Sequence, residues 1–433
     1  MHGKNKYSII KPEKSPIFYG YIVLLFGSIG ILASIPGQTV GVSVFTDPVK
    51  EALGLSRTNF SNAYMIGTLL SALIVAKAGV WFDRFGARYV AFFAVIFLAF
   101  GLFLFSFSQT LSRNISELLQ LESWIIPFTI ITILFFIIRF CGQGVLTMAS
   151  RNMIMLWFDK NRGKVNSISS IAVSLGFSAS PILINKLIDD YGWQMSWQII
   201  AICLVVFSVF ILQFYRNKPE DFGMKPDGVV IHKEQKARKN VRDFTLIEAQ
   251  KTRAFWIISL ILAFNSFFFT GFTFHVVSIF ESAGFSKTQA ISIFLPISII
   301  AISTSTCGNI FSDYIKHKIY IFIMLLAGFM ASLGLIFLKE SLGLYLLIIG
   351  LGVLGGLFTV INAVTWPRYY GRLYLGAITG KVMSVLVIAS AVAPTLFSYC
   401  FTVFGSYSYV SYITVVILLF VTIASLKVKN PQK

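Results

Sequence analysis

The chain has 433 residues, of which 56% are hydrophobic and 12% charged, with a mean hydropathy of +0.78. A soluble domain averages about 45–50% apolar residues and about 25% charged ones, so a soluble enzyme, a disordered chain and a disulfide scaffold are excluded in favour of a polytopic membrane protein. The formal net charge of +18 then reads as basic loops retained on one side of a bilayer, and nucleic acid is not an expected partner.

In chain order, runs of about 20 apolar residues predict spans at 17–46, 59–80, 89–108, 125–150, 165–188, 197–215, 254–280, 288–310, 319–338, 341–364, 374–400 and 408–426. Twelve helices follow, because hydrocarbon offers no partner for an open backbone. The alternating ten-residue segments of a membrane barrel are missing. The basic start MHGKNKYSIIKPEKSP precedes the first run without a small-residue cleavage site, which predicts a retained helix rather than a signal peptide. Cys141, Cys203, Cys307 and Cys400 sit far apart in apolar runs, so neither a disulfide framework nor a metal site is expected, and no cofactor.

Counting Lys77 and Lys186 at the span ends with the loops beside them, the N-terminus, the even-numbered loops and the C-terminus carry 28 Lys and Arg, against 6 in the odd-numbered loops. That asymmetry predicts both termini in the cytoplasm. The longest break, 216–253, is rich in basic residues from Lys233 to Arg242 and reads as a solvated linker facing lipid headgroups. The expected organisation is a six-helix bundle over 1–215, the linker at 216–253, and a second six-helix bundle over 254–433. Gly163, near the start of span 5, and Pro181 within it share an 18-residue interval with Gly376 and Pro394 in span 11, a hint of a parallel repeat.

The loop between spans 2 and 3 reads Gly79-Val-Trp-Phe-Asp83-Arg84-Phe-Gly86-Ala-Arg88. Read as residues alone, it is a compact charged turn at the membrane surface. Its G-x-x-x-D-R-x-G-x-R spacing closely resembles the signature loop of the major facilitator superfamily. The resemblance implies that the loop braces a cytoplasmic gate, with Asp83 facing a helix N-terminus, where negative charge is favoured. In the second half, Asn309-Ile-Phe-Ser-Asp313 keeps the acid but lacks the Gly and Arg, which implies a weaker second latch.

Further stretches resemble the oxalate/formate antiporter and monocarboxylate porter branches. They are FYGYIV, SIPGQTVGVSVF, Trp157-Phe158-Asp-Lys160-Asn-Arg162-Gly163, KPEDFGMKPDG, FTLIEAQKTRAFW and YYGRLYLGAITG, in that order along the chain. That resemblance implies transport of small organic anions, coupled to protons or exchanged for a counter-anion. The sequence departs from those branches in span 8, which holds no charge, and at Lys381, which lies about two turns into span 11 and can snorkel to the interface.

Arg139 reads as the one charge near the middle of a span. Burial there costs about 2.5–3.5 kcal/mol even on the lenient scale, so it must face a cavity or a partner. Three roles stay open: coupling or gating, which the family's Arg at this place implies, direct contact with an anion, and hydrogen bonding to neighbouring helices. Gln143, one turn on, is the expected companion. His275 is either a titratable coupling group or a hydrogen-bonded packing residue. Gln38, Asn62, Tyr64, Asn265 and Asn362 are each candidates for substrate contact or for helix ties. Pro36-Gly37, Pro181, Pro296 and Pro394 are sites where helices can bend. Between spans 3 and 4, Ser116 with Leu118, Leu119 and Leu121 predicts a short helix on the outer surface.

No deep Asp or Glu offers a proton relay, so the substrate is expected to be anionic or zwitterionic. The expectation is an all-α secondary transporter in the plasma membrane, the bacterial inner membrane in the first instance, working as a monomer by alternating access. The other reading is a transporter-like sensor or accessory protein that binds a ligand without moving it. No nucleophile–base pair or phosphate loop suggests an enzyme.

Overall fold

The computed structural model describes residues 12–121, 123–228, 242–311 and 314–432, and these are helical with no strand among them. The helices are α1 Gly20–Ala33, α2 Thr39–Ala52, α3 Arg57–Ser106, α4 Ser108–Leu119, α5 Ile125–Ile138, α6 Thr147–Trp157, α7 Arg162–Phe214, α8 Leu246–Gln250, α9 Arg253–Ser282, α10 Lys287–Ser292, α11 Phe294–Phe311, α12 His317–Ile336, α13 Ser341–Tyr370, α14 Leu375–Phe404 and α15 Ser408–Leu426. Among the described residues, ten helical segments are long and apolar enough to cross a membrane. The basic stretch 229–241 and Asp313 lie outside the described residues.

Two of these elements are hairpins. At Gly86 in α3 (φ 82°, ψ 167°) and Gly192 in α7 (φ 78°, ψ 164°) the backbone leaves the helical region. Positive φ is open to glycine at little cost. Gly67 and Gly101 both pack against the same stretch of α5, around Thr132–Ile138. On a straight helix they would stand about 50 Å apart, so α3 doubles back at Gly86. A single residue makes the turn.

The chain divides into two compact units. Unit 1 comprises Met1–Lys160, Ala172–Ala237 and Leu375–Ser384, so the first turns of α14 belong to it. Its core stacks Phe45 on Trp197 (3.6 Å between ring centroids) and sets Phe105 edge-on to Phe135. Unit 2 comprises Asn161–Ile171, Arg238–Tyr374 and Val385–Lys433. There α12 packs on α13 and α15, around buried Met324, Leu347 and Leu418. Gln432 bonds to the backbone of Arg242 in both directions and to the Tyr369 carbonyl (2.8–2.9 Å). Large apolar side chains stand outward, including Leu73, Ile182, Leu183 and Phe420, each at least 67% exposed, as a lipid-facing surface requires.

Two sequence expectations are corrected. The short helix α4 starts at Ser108, not near Ser116, and its buried residues are the small Ser108 and Ser112. Leu118, Leu119 and Leu121 are 80%, 54% and 55% exposed. Arg151, counted above with the loop after span 4, lies inside α6. Arg139 is therefore not the sole charge within that span.

Candidate functional site

The site in unit 1 begins with a broken helix. Pro36 has no N–H to donate, and the first span splits into α1, a 3-10 turn at Ile35–Gly37, and α2. Gln38 is extended (ψ 160°), which leaves carbonyls without helical partners. Arg139 supplies one, its Nη1 donating to the Gly37 carbonyl (3.1 Å) and reaching Thr39 Oγ1 (3.4 Å). Its guanidinium lies over the Tyr64 ring at 4.9 Å, a cation–π contact. The Tyr64 hydroxyl shares a 2.9 Å hydrogen bond with Thr39.

Arg139 opens a π-helical stretch, Arg139–Leu146, set between α5 and α6. Such wide turns inside α-helices recur at functional sites. The break in the first span lies directly against it: a Cβ added to Gly142 would stand 2.8 Å from Gly37 Cα. Only glycines allow that approach. Gln38 donates to Ser34 and to Thr147 (3.1 Å each), and the Thr147 hydroxyl lies within reach of Ser34 Oγ (2.9 Å) and the Gly142 carbonyl (3.1 Å). Ser34, Thr39 and Thr147 were missed in the sequence, since a lone hydroxyl in an apolar run carries no pattern.

What stands out is what Arg139 lacks. It is 1% exposed, yet its Nε and Nη2 find no hydrogen-bond partner, and neither does the Oε1 of Gln143. No ion pair to a carboxylate offsets the charge among the described residues. Gln143 does not bond Arg139; the wider π turn moves it off the α-helical i+4 position assumed from the sequence. Asn62 is half-buried with no partner among the described residues. An open cleft of ≈ 520 Å³ between α2 and α7, lined by Val44, Pro181, Asn185, Lys186 and Asp189, contains none of these residues.

The Gly79–Arg88 segment, helical on both sides of the Gly86 turn where the sequence predicts a loop, forms a second constellation in unit 1. Asp83 accepts the backbone N–H of Gly376 on Oδ1 and of Ala377 on Oδ2, both at 2.7 Å. Those N–H groups belong to the first turn of α14, whose N-cap Tyr374 offers no side-chain bond. Asp83 therefore does from another helix what an N-cap residue does in its own. Gly79 lies against Gly376 and Gly380, with no room for a side chain. Arg84 is exposed, 5.2 Å from the Phe85 ring. The Arg88 N–H donates to Asn217 Oδ1 (3.4 Å), and that amide fills the space beside Gly86. Lys381 is half-buried in the same segment of α14.

In unit 2, His275 Nε2 bonds to the Pro394 carbonyl (2.9 Å). Asn265 is 7% exposed with its Oδ1 unpartnered, and Asn362 is half-buried. Where the second-half motif begins, Asn309 is fully buried and accepts from Asn166 Nδ2 (2.8 Å), beside a Ser305–Thr359 hydroxyl pair (2.9 Å). An amide pair stands there.

Comparisons with known proteins agree on a family. The family model described as Major Facilitator Superfamily matches residues 17–394. The chain is 23% identical over 279 residues to a hexuronate transporter of Bacillus subtilis (strain 168), covering 64% of this chain and 61% of that one. It is 25% identical over 216 residues to the riboflavin transporter RibJ of Trypanosoma brucei brucei, covering 48% and 36%. The chain thus spans about three fifths or less of these curated relatives. Among solved structures, a variant of the E. coli fucose:proton symporter FucP aligns with a TM-score of 0.66 at 14% identity, covering 94% and 98%. The human organic anion transporter MFSD10 aligns at 0.61 and 13%, covering 94% and 100%. At these identities the structures speak for the fold.

Proposed function

The chain belongs to the major facilitator superfamily, a family of multi-pass membrane transporters rather than enzymes, and from that premise we propose that it carries a small organic anion by alternating access. The carrying observation is the guanidinium of Arg139, buried without a counter-charge and with Nε and Nη2 unpartnered. A planar cation with free parallel donors suits a carboxylate in a bidentate grip. Mono- and dicarboxylates are the proposed class, in exchange for another anion or with protons. The hexuronate relative, whose named solute is a sugar acid, supports that class.

Counting α3 and α7 as two helices each gives the proposed twelve, in bundles over 1–215 and 254–433 joined by the linker 216–253. Both termini would lie in the cytoplasm of a plasma-membrane monomer. The latch at Gly79, Asp83, Gly86 and Arg88 favours transport over ligand sensing, because a sensor needs no gate. Asn62, Asn265, Asn362, Gln38, Tyr64, Gln143 and His275 are the proposed polar lining or ties, and Asp313 a proposed element of the second gate.

The test is uptake into proteoliposomes of radiolabelled glucuronate, galacturonate, oxalate and lactate, with and without a pH gradient. We expect uptake of at least one, abolished in Arg139→Ala and reduced but measurable in Arg139→Lys, which keeps the charge and loses the fork. Uptake by Arg139→Ala at the parent rate would reduce the residue to a helix tie and end the anion reading.

A further inference from the structure

Helix α6 is covered almost everywhere. Ten of its eleven residues are buried, and Arg151 alone is partly open. On one side of it, Ser150 shares a 2.8 Å hydrogen bond with the Tyr215 hydroxyl; on the other, Asn152 donates to Thr379 Oγ1 at 2.6 Å. These two bonds set the rotation of the helix and leave Arg151 directed between them. Its guanidinium has no hydrogen-bond or ion-pair partner among the described residues. An uncompensated cation in a packed apolar helix is a poor choice for packing alone.

The π stretch decides how Arg151 relates to Arg139. The two are twelve residues apart. On an unbroken α-helix, at about 100° per residue, they would point roughly 120° apart. A π turn takes up one residue more than an α turn and removes about 100° of that difference. Arg139 and Arg151 therefore share one face, separated by about 18 Å along the axis. The wide turn lines up two cations that a regular helix would have splayed.

We propose that Arg151 is a second anion station, which takes the carboxylate of the transported solute in turn with Arg139. This rests on the solute being an anion. The separation exceeds the reach of a small dicarboxylate, so the two guanidiniums serve one anionic group in succession and do not grip both ends of it. Each station offers the same chemistry, parallel N–H donors to two carboxylate oxygens.

The test needs no identified solute. In protein with Cys141, Cys203, Cys307 and Cys400 replaced by Ser, Gln143→Cys places a reporter thiol between the stations, about 12 Å from Arg151 along the axis. It is labelled with the anionic sulfonatoethyl and the cationic trimethylammonioethyl methanethiosulfonates. Removing one positive charge at that distance lowers the anion-to-cation rate ratio about threefold even at the permittivity of water, and more in a less polar path. We expect that fall in Arg151→Gln and Arg151→Met, and an unchanged ratio in Arg151→Lys. Separately, Arg151→Cys in the same background reacts with the sulfonate reagent, while Met153→Cys, at a fully buried position, does not. The labelling of Arg151→Cys stands even if neither neutral variant elutes as a monodisperse protein. An unchanged ratio in a folded neutral variant, or an inert Arg151→Cys, overturns the second station. If Arg139→Gln also leaves the ratio unchanged, the anion reading itself falls; if only Arg151→Gln does, that reading survives without its second station.

Discussion

Asp83→Asn probes the latch with a change of one atom. In the folded chain Asp83 receives two first-turn N–H groups of α14, one on each carboxylate oxygen, at 2.7 Å. A hydrogen bond to a charged group contributes about 1.5–3 kcal/mol, and a neutral one about 0.5–1.5. Asparagine keeps a single neutral acceptor and turns an NH₂ toward the second donor. It also gives up the favourable placement of a negative charge at a helix N-terminus, about 0.3–1 kcal/mol. Discounted for the half-exposed position, the net loss is about 2 kcal/mol, or roughly 30-fold in the population of the engaged latch. Hydrogen exchange on peptides covering 374–378 should quicken by about that factor, and proteoliposome flux should change while thermal stability moves little. Exchange and flux both at parent values would refute the reasoning.

Three further outcomes follow from other contacts. Gly142→Ala places a methyl 2.8 Å from Gly37 Cα, an overpacking that should cost about 1–3 kcal/mol and lower the melting temperature in a fluorescence-detected chromatography series. Glu248 closes a capping box on Thr245 and pairs with Arg242; its hydrogen bonds to Thr245 hold its carboxyl below the ordinary value of 4.5. Its contribution is therefore present above about pH 4.5 and lost as pH falls through the lower folded value, so melting profiles from pH 6 to 3.5 should be flatter there in Glu248→Gln. His275→Gln can still donate to the Pro394 carbonyl, and the pH dependence of flux should match the parent, whereas a displaced profile would make His275 a coupling group.

Most of the fold is legible in composition, because hydrocarbon demands long uninterrupted apolar runs and the chain supplies them. The two reversals at Gly86 and Gly192 fall in the gaps between predicted spans, and Pro36-Gly37 announces the break in the first one. Asp83 at a helix N-terminus was available from the loop's resemblance, but not its landing on Gly376 and Ala377. The π stretch was hidden, since composition does not record which carbonyl each N–H selects. That register carries the error at Gln143 and the relation of Arg151 to Arg139. Arg151 falls one residue past the predicted end of span 4, and only the packing shows that its neighbours Ser150 and Asn152 are tied to Tyr215 and Thr379 within a helix.

The one-residue turn at Gly86 has a mechanical meaning. A longer loop would let the two arms of α3 slide past one another and absorb a push at either end. Here the fold-back leaves no slack: Asp83 stands three residues from the bend, and the Asn217 amide wedges it. In the proposed gate, force taken up at Asp83 would pass directly into the returning arm, which ends at Phe105 against Phe135 and Trp197. The hairpin would then work as a stiff crank, with its handle at the proposed latch and its far end set in the aromatic core.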